Sequence, residues 1–327
     1  MSHEIDQTTG KPAMAFFGAK PWHGLGTEVQ QAMTSLEAIT LGGLDFEVLS
    51  MPVYDHTKTK IEGYQALTRS DTGSVLSIMG KRYVPLQNRV AFECLDELIK
   101  EGLRYETVGA LKGGRTVWGL AKLPGEIRVT GRDIVNKYLL FTNSHDGTKT
   151  VSVYFTPVRV VCWNTLHMSL TQSDYLLKAK HTASAGKKIA ALKTLFEDIR
   201  DQEKQFETMS ARMIKHKVSQ TDVDDFLLDL FLRDQGLRDT PEDIPTRTKN
   251  TIDQVKELCE TGMGTDLEGV KGSAWGLYNA VTEYTDHVST VKGIEEDPTR
   301  RLDSNWFGSG AALKEKALEK ILEMVGA

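Results

Sequence analysis

The hydrophobic period of the chain changes once, after Gly186, and that change limits the folds open to it. Before Gly186 the apolar residues fall in short runs suited to strands, which present alternate side chains to opposite faces. Early strands are expected at Phe46–Leu49 and Val53-Tyr54, and a β-hairpin at Tyr64–Arg69 and Val75–Met79 around Ser70-Asp71-Thr72-Gly73, because Asp and Gly accept turn conformations that β-branched residues resist. Further strands are expected at Tyr105–Leu111, Arg115–Lys122, Glu126–Thr130, Lys137–Ser144 and Thr148–Val161, broken by Gly113-Gly114, Pro124-Gly125 and His145-Asp146-Gly147. Pro157 lacks a ladder donor, so it marks an edge or a bulge. One helix interrupts this part, over Asn88–Lys100, with Ala91, Phe92, Leu95, Leu98 and Ile99 on one face and Gly102 as its stop.

After Gly186 the spacing becomes helical. Ile189, Leu192, Leu195, Phe196, Ile199, Phe206, Met209, Met213 and Ile214 form the apolar stripe of one long helix or two in succession, to be packed against the sheet or another subunit. Helices follow at Val223–Arg233, Thr251–Cys259, Trp275–His287 and Ala311–Met324, while Thr240-Pro241-Glu242-Asp243 suits a helix cap or an ordered turn. The expected fold is α+β: an antiparallel, sheet-rich core with packed helices over residues 1–186, and a mostly helical region over 187–327 packed against it.

The 327 residues are long enough for a substantial core, and no run of about 18 apolar residues or secretory leader is present, so a cytoplasmic protein without a membrane span is expected. Cys94, Cys162 and Cys259 are too scattered for a disulfide framework or a paired-cysteine metal site. The net charge of −5 hides an asymmetry. Residues 1–186 carry 20 basic and 18 acidic side chains (+2), and residues 187–327 carry 20 and 27 (−7), so a polyanion would meet the first part more readily.

No catalytic constellation stands out. His23, between Trp22 and Gly24-Leu25-Gly26, reads as a loop histidine, and His145-Asp146-Gly147 reads first as a turn. His167 and His181 lack the spacing of a metal-ligand pair, so neither a metal nor a cofactor is expected. Asp222, Asp225 and Asp229 share a helical face, which a solvated helix explains more simply than a two-metal nuclease. The glycines near Gly262 and Gly269 lack the other residues of a phosphate-binding loop.

The informative cluster is basic. Lys81, Arg82, Arg104, Lys112, Arg115, Arg128, Arg132, Lys149 and Arg159 alternate with Tyr83, Tyr105, Trp118, Tyr138, Tyr154 and Trp163. Cations attract phosphates and exposed aromatics stack bases with little sequence preference, so these nine cations are the candidate DNA-binding residues, with Lys81, Arg82, Lys112 and Arg115 the first to test. The bland alternative is a mixed-charge sheet with its aromatics buried. What separates the two is whether the cations converge in space.

Lys137-Tyr138-Leu139-Leu140-Phe141-Thr142-Asn143-Ser144-His145-Asp146-Gly147, followed by Val158–Leu166, strongly resembles an uncharacterised family of phage- and plasmid-encoded proteins. Pro21–Gly26, Gly80–Asn88 and Trp275–His287 extend the resemblance over most of residues 18–324. It implies a mobile-element setting and no particular reaction. The order of early strands, helix and later sheet is loosely similar to ring-forming single-strand annealing proteins. Together these imply single-stranded DNA binding, with strand annealing in recombination or replication and a homo-oligomer as the working form. The alternatives are a structural or host-interaction protein, its interface on the Gly186–Lys217 helical stretch, and a metal-dependent DNA-processing enzyme built on the three aspartates.

Overall fold

The computed structural model describes residues 5–18, 26–93, 95–159, 175–182, 195–232, 244–290 and 300–326. The expectations placed on His23, Trp163, His167, Cys94, Cys162, Thr240–Asp243 and the first residues after Gly186 lie outside them, as does the Arg159 side chain.

The architecture is α+β. The strands are β1 (Met14–Phe17), β2 (Thr27–Val29), β3 (Val48–Tyr54), β4 (Lys60–Arg69), β5 (Val75–Gly80), β6 (Arg104–Leu111), β7 (Thr116–Thr130), β8 (Asp133–Ser144), β9 (Val151–Arg159) and β10 (Tyr175–Ala179). Seven form one sheet in the order β10-β9-β8-β7-β6-β1-β2, and β3-β4-β5 form a second. Neighbours pair antiparallel except β1 and β2, which run parallel.

The expected break at Pro124-Gly125 is instead an irregularity inside β7, where the register with β8 shifts between Lys122 and Glu126, so one long strand replaces two short ones. Pro157 pairs with Lys137 of β8 but lies beyond the stretch of β9, Val151–Tyr154, that β10 covers. There its missing N–H breaks no ladder among the described residues. The hairpin between β4 and β5 turns as expected, with Gly73 at a positive φ of 68°.

The expected helix over Asn88–Lys100 is two short ones, α2 (Asn88–Glu93) and α3 (Asp96–Lys100), parted at Leu95, which leaves helical geometry with φ −96° and ψ 2°. Before them α1 (Ser35–Leu41) opens with a capping box in which Thr34 and Glu37 satisfy each other's backbone N–H groups. These helices cover one face of the large sheet, where Phe92 meets Tyr105 and Phe141.

The second part of the chain contributes α4 (Leu195–Lys215), α5 (Gln220–Leu232), α6 (Thr246–Thr261), α7 (Ala274–Glu283), α8 (Arg300–Phe307) and α9 (Ser309–Val325). The stripe of α4 packs inside its own chain: Ile199, Phe206, Met209 and Met213 are buried, and Phe206 stands edge-on to Trp275 of α7. Among the described residues, most of that stripe is therefore occupied by the chain's own core. A single hydrophobic cluster runs from Phe92 and Phe141 through Ile127 and Val135 to Trp275 and Leu318. Burial of this kind stabilises by about 25 cal/mol per Å² of apolar surface, so the helical region and the sheet share one core. The Trp275 indole donates to Asp133 at 2.9 Å, and Lys137 pairs with Glu203 at 2.9 Å. At the far side of the helical region Lys314 pairs with Asp286 at 2.8 Å, both side chains buried.

Candidate nucleic-acid interface

The β7–β8 ladder decides which cations meet. Its register pairs Thr116 with Ser144 at one end and Thr130 with Asp133 at the other. Fourteen residues at about 3.3 Å each put those ends on the order of 40 Å apart. Arg128 and Arg132 lie at the Asp133 end, as does the backbone of Arg159, which pairs with Val135. Arg128 is engaged by Glu126. Arg104 lies opposite Lys122 and folds back on its own turn, its Nη1 donating to the Ile99 and Leu103 carbonyls at 2.7 Å each. These four do not share a surface with the rest.

The other five collect around Ser144. Lys112 and Arg115 belong to the tight turn between β6 and β7, and the His145 N–H donates to the Arg115 carbonyl at 2.7 Å. Lys149 follows the Asp146 turn, its N–H donating to Ser144 Oγ at 3.2 Å. Lys81 and Arg82 arrive with the end of β5: the Tyr83 hydroxyl donates to the Ser144 carbonyl at 2.8 Å, and Ser77 Oγ donates to the His145 carbonyl at 2.6 Å. Lys81 is held by Glu62. Arg82 and Arg115 are exposed and have no ion-pair partner among the described residues, while Lys112 and Lys149 are half-buried beside them.

The turn carrying Lys112 and Arg115 is conformationally unusual. Lys112 has φ +56°, a left-handed geometry that costs a non-glycine residue about 1–2 kcal/mol, and Gly113 and Gly114 follow at +69° and +89°. Gly114 must lack a side chain, since a Cβ there would stand 2.8 Å from Arg69 Nη1 and 3.0 Å from Phe46 Cζ. Arg69 is itself buried, pairing with Asp6 and, at 2.7 Å, with Asp71, its guanidinium 3.9 Å over the Phe46 ring. Its hydrogen bonds hold the Asp71 carboxyl below the usual carboxylate range. The sequence reading placed Arg69 in a strand and gave it no role.

Behind the rim lies a buried polar cluster. The turn expected at His145-Asp146-Gly147 forms, with Asp146 Oδ1 accepting from Ser144 Oγ, Thr148 N and Thr148 Oγ1 and Gly147 at φ +74°. The His145 ring is fully buried, with Nε2 2.9 Å from Asn88 Oδ1. Asn88 gives its Nδ2 to the Leu44 carbonyl, so its Oδ1 accepts, His145 carries its proton on Nε2, and Nδ1 is a bare lone pair. His181 stacks on Tyr83 with ring centroids 4.8 Å apart and has a partner at neither ring nitrogen. Thr116 Oγ1, Trp118 Nε1, Thr142 Oγ1 and Asn143 Oδ1 are the other buried, unpartnered polar atoms at this end among the described residues. Burial is the main cause that depresses both imidazoles, His145 to about 3 and His181 to about 4, so both are neutral at physiological pH. The bare lone pairs suit a hydrogen-bond donor, an internal water being the simplest.

Residues 75–306 match a family model described as "Domain of unknown function (DUF932)". The chain belongs to this family. The DUF932 match, about seven tenths of the chain, takes in the nine cations and the polar cluster, and leaves β3 and β4 outside. No curated protein and no solved structure matches.

The aromatic half of the expectation falls differently from the cations. Tyr105, Trp118 and Tyr138 are core residues, and Tyr83 is held against His181. Among the described residues the exposed aromatics are Tyr54 and Tyr64 of the small sheet, which sequence reasoning did not single out. Of the three aspartates, Asp222 receives Ser219 N and Oγ at the start of α5, and Asp229 is engaged by Lys320. Among the described residues no three His, Cys, Asp or Glu side chains gather as a metal-ligand set, and no helix is long and apolar enough to cross a membrane.

Proposed function

We propose that the chain binds single-stranded DNA along the rim formed by Arg82, Lys112, Arg115 and Lys149, and serves strand annealing during recombination or replication of a phage or plasmid in the cytoplasm. The observation that carries this reading is the convergence of those four cations on one end of the large sheet, two of them exposed and uncompensated. Backbone contact needs such cations, since each phosphate neutralised releases a counterion. Arg104, Arg128, Arg132 and Arg159 drop out of the expected set by position, and Lys81 is compensated by Glu62. The reading needs no cofactor.

Fluorescence anisotropy with a labelled single-stranded oligonucleotide and its duplex, over a range of salt, tests it, with complementary-strand annealing followed in the same preparation. Affinity is expected to fall linearly with salt on logarithmic axes. The pair Arg82→Glu with Arg115→Glu is expected to lose at least tenfold in affinity, and Arg128→Glu with Arg132→Glu to lose nothing. Folded protein that ignores DNA at low salt would end the proposal, and binding without faster pairing would remove annealing from it. Self-association, the second component of this reading, is favoured by a separate observation on the small sheet.

A further inference from the structure

The small sheet has two unlike faces. Directly opposed residues on antiparallel strands share a face, so the register builds two rows on one side: Leu49, Thr68 and Val75, then Met51, Ala66 and Ile78, with Tyr64 next along β4. On the other side Val48 pairs with Arg69, and Ser50 with Leu67; Val48, Leu67 and Arg69 are buried against the body. The outer side is not buried. Leu49, Met51, Tyr64, Val75 and Ile78 are 41–59% exposed. Of thirteen exposed large apolar side chains among the described residues, seven lie on this one sheet, so the exposure is concentrated rather than scattered.

We infer that this outer face is where a second copy of the chain docks, the two copies related by a two-fold axis. The area fits. A large side chain can bury about 150–250 Å², so five or six of them half-exposed offer roughly 500–600 Å². Two copies face to face then remove roughly 1,000–1,200 Å² before any polar margin is added, which reaches the lower bound of a specific interface.

The charges point the same way. Glu62 sits between Lys60, at 3.1 Å, and Lys81, so the margin of the face is already compensated and offers phosphates little. A two-fold axis set between Glu62 and one of its lysines places each copy's Glu62 against that lysine of the other copy, so the same row serves both sides. Strand addition is the less suitable geometry, because Pro52 removes an amide donor from the edge strand β3. This inference deepens the self-association component of the proposed function and stands whether or not the rim binds DNA.

Sedimentation velocity on nucleic-acid-free protein, from below one micromolar to tens of micromolar, tests it. Wild type is expected to move from monomer to dimer or a larger even assembly. Ile78→Glu and, separately, Tyr64→Glu are expected to weaken association at least tenfold, while Leu36→Glu, equally exposed but on α1, leaves it unchanged. The milder pair Val75→Thr with Ile78→Thr keeps β-forming residues and is expected to weaken association less but measurably, which guards against a charge that unfolds the sheet. A wild type that stays monomeric throughout overturns the inference, as does an oligomer indifferent to all three face variants. A monomeric wild type whose face variants lose DNA affinity would assign the face to nucleic acid instead.

Discussion

The two ends of the β7–β8 ladder are built from the same two strands in one continuous pairing, and they are put to different uses. At the Asp133 end the buried carboxylate receives the Trp275 indole, Lys137 meets Glu203, and Arg128 meets Glu126. At the Ser144 end six residues (Thr116, Trp118, Thr142, Asn143, His145 and His181) keep buried polar atoms without partners, and two arginines face solvent with no ion pair, among the described residues. An unpartnered buried polar atom costs about 1–3 kcal/mol, so this end carries a stability cost that the other does not. The contrast separates an end whose polar groups are paired from the end at which binding is proposed.

The largest effect should come from acid. Unfolded histidines take up protons below about pH 6.5, while buried His145 and His181 resist until about 3 and 4. The unfolded state therefore binds more protons between those limits, and stability falls as the pH falls. Each histidine contributes about 1.4 kcal/mol per pH unit, on the order of 5 kcal/mol together over two units. Urea unfolding at pH 6.5 and 4.5, mostly above the range where carboxylates titrate, measures this. A flat profile would mean that the Ser144 end opens to water.

Next in size is Trp275→Ala, which removes a fully buried side chain and its bond to Asp133. A loss of about 3–5 kcal/mol is expected in urea unfolding. Amide exchange should accelerate around the β7–β8 turn and leave β5 and the His145 turn unchanged; equal acceleration at both ends would dissolve the contrast.

Smaller and opposite in sign is His181→Phe. It keeps a ring against Tyr83 and deletes two unpartnered nitrogens, so a gain of about 1–2 kcal/mol at neutral pH and roughly half the acid slope are expected. A loss of stability would show that those nitrogens hold a ligand. The smallest stability effect belongs to Arg82→Glu and Arg115→Glu, within about 0.5 kcal/mol of wild type by urea unfolding, because both side chains are exposed. Under the proposed function their expected effect is on DNA affinity alone.

Local signals in the sequence were readable. The Asp71–Gly73 turn, the change of period and the strands at Tyr105–Leu111 and Lys137–Ser144 follow from chemistry within a few residues, whereas the joining of β7 across Pro124-Gly125 and the strand β10 do not. What stayed hidden depends on pairing between distant segments. His145 looks like a turn residue because Asp146 and Gly147 do make a turn; its burial comes from Asn88 and Phe46, far away in the chain. The grouping of the cations follows from a register that sequence does not print, and Lys122 and Arg128 lie on one strand yet serve different surroundings. The outer face of the small sheet was masked because β3 carries apolar residues on both sides, Val48 inward and Leu49 and Met51 outward, so alternation could not say which side was core.

The place of β1 in the large sheet sets an order of assembly. Its antiparallel partner is β6, with Ala15 opposite Val108, and only β2 can join it before then. During synthesis this first strand must wait, its apolar residues unpaired, until the segment through Leu111 has emerged. Closing a loop of about ninety residues costs on the order of 4 kcal/mol of chain entropy before the pairing returns anything. β1 is thus made well before it can be placed, and slow folding or early aggregation of this chain should trace to β1 rather than to the hairpin that follows it.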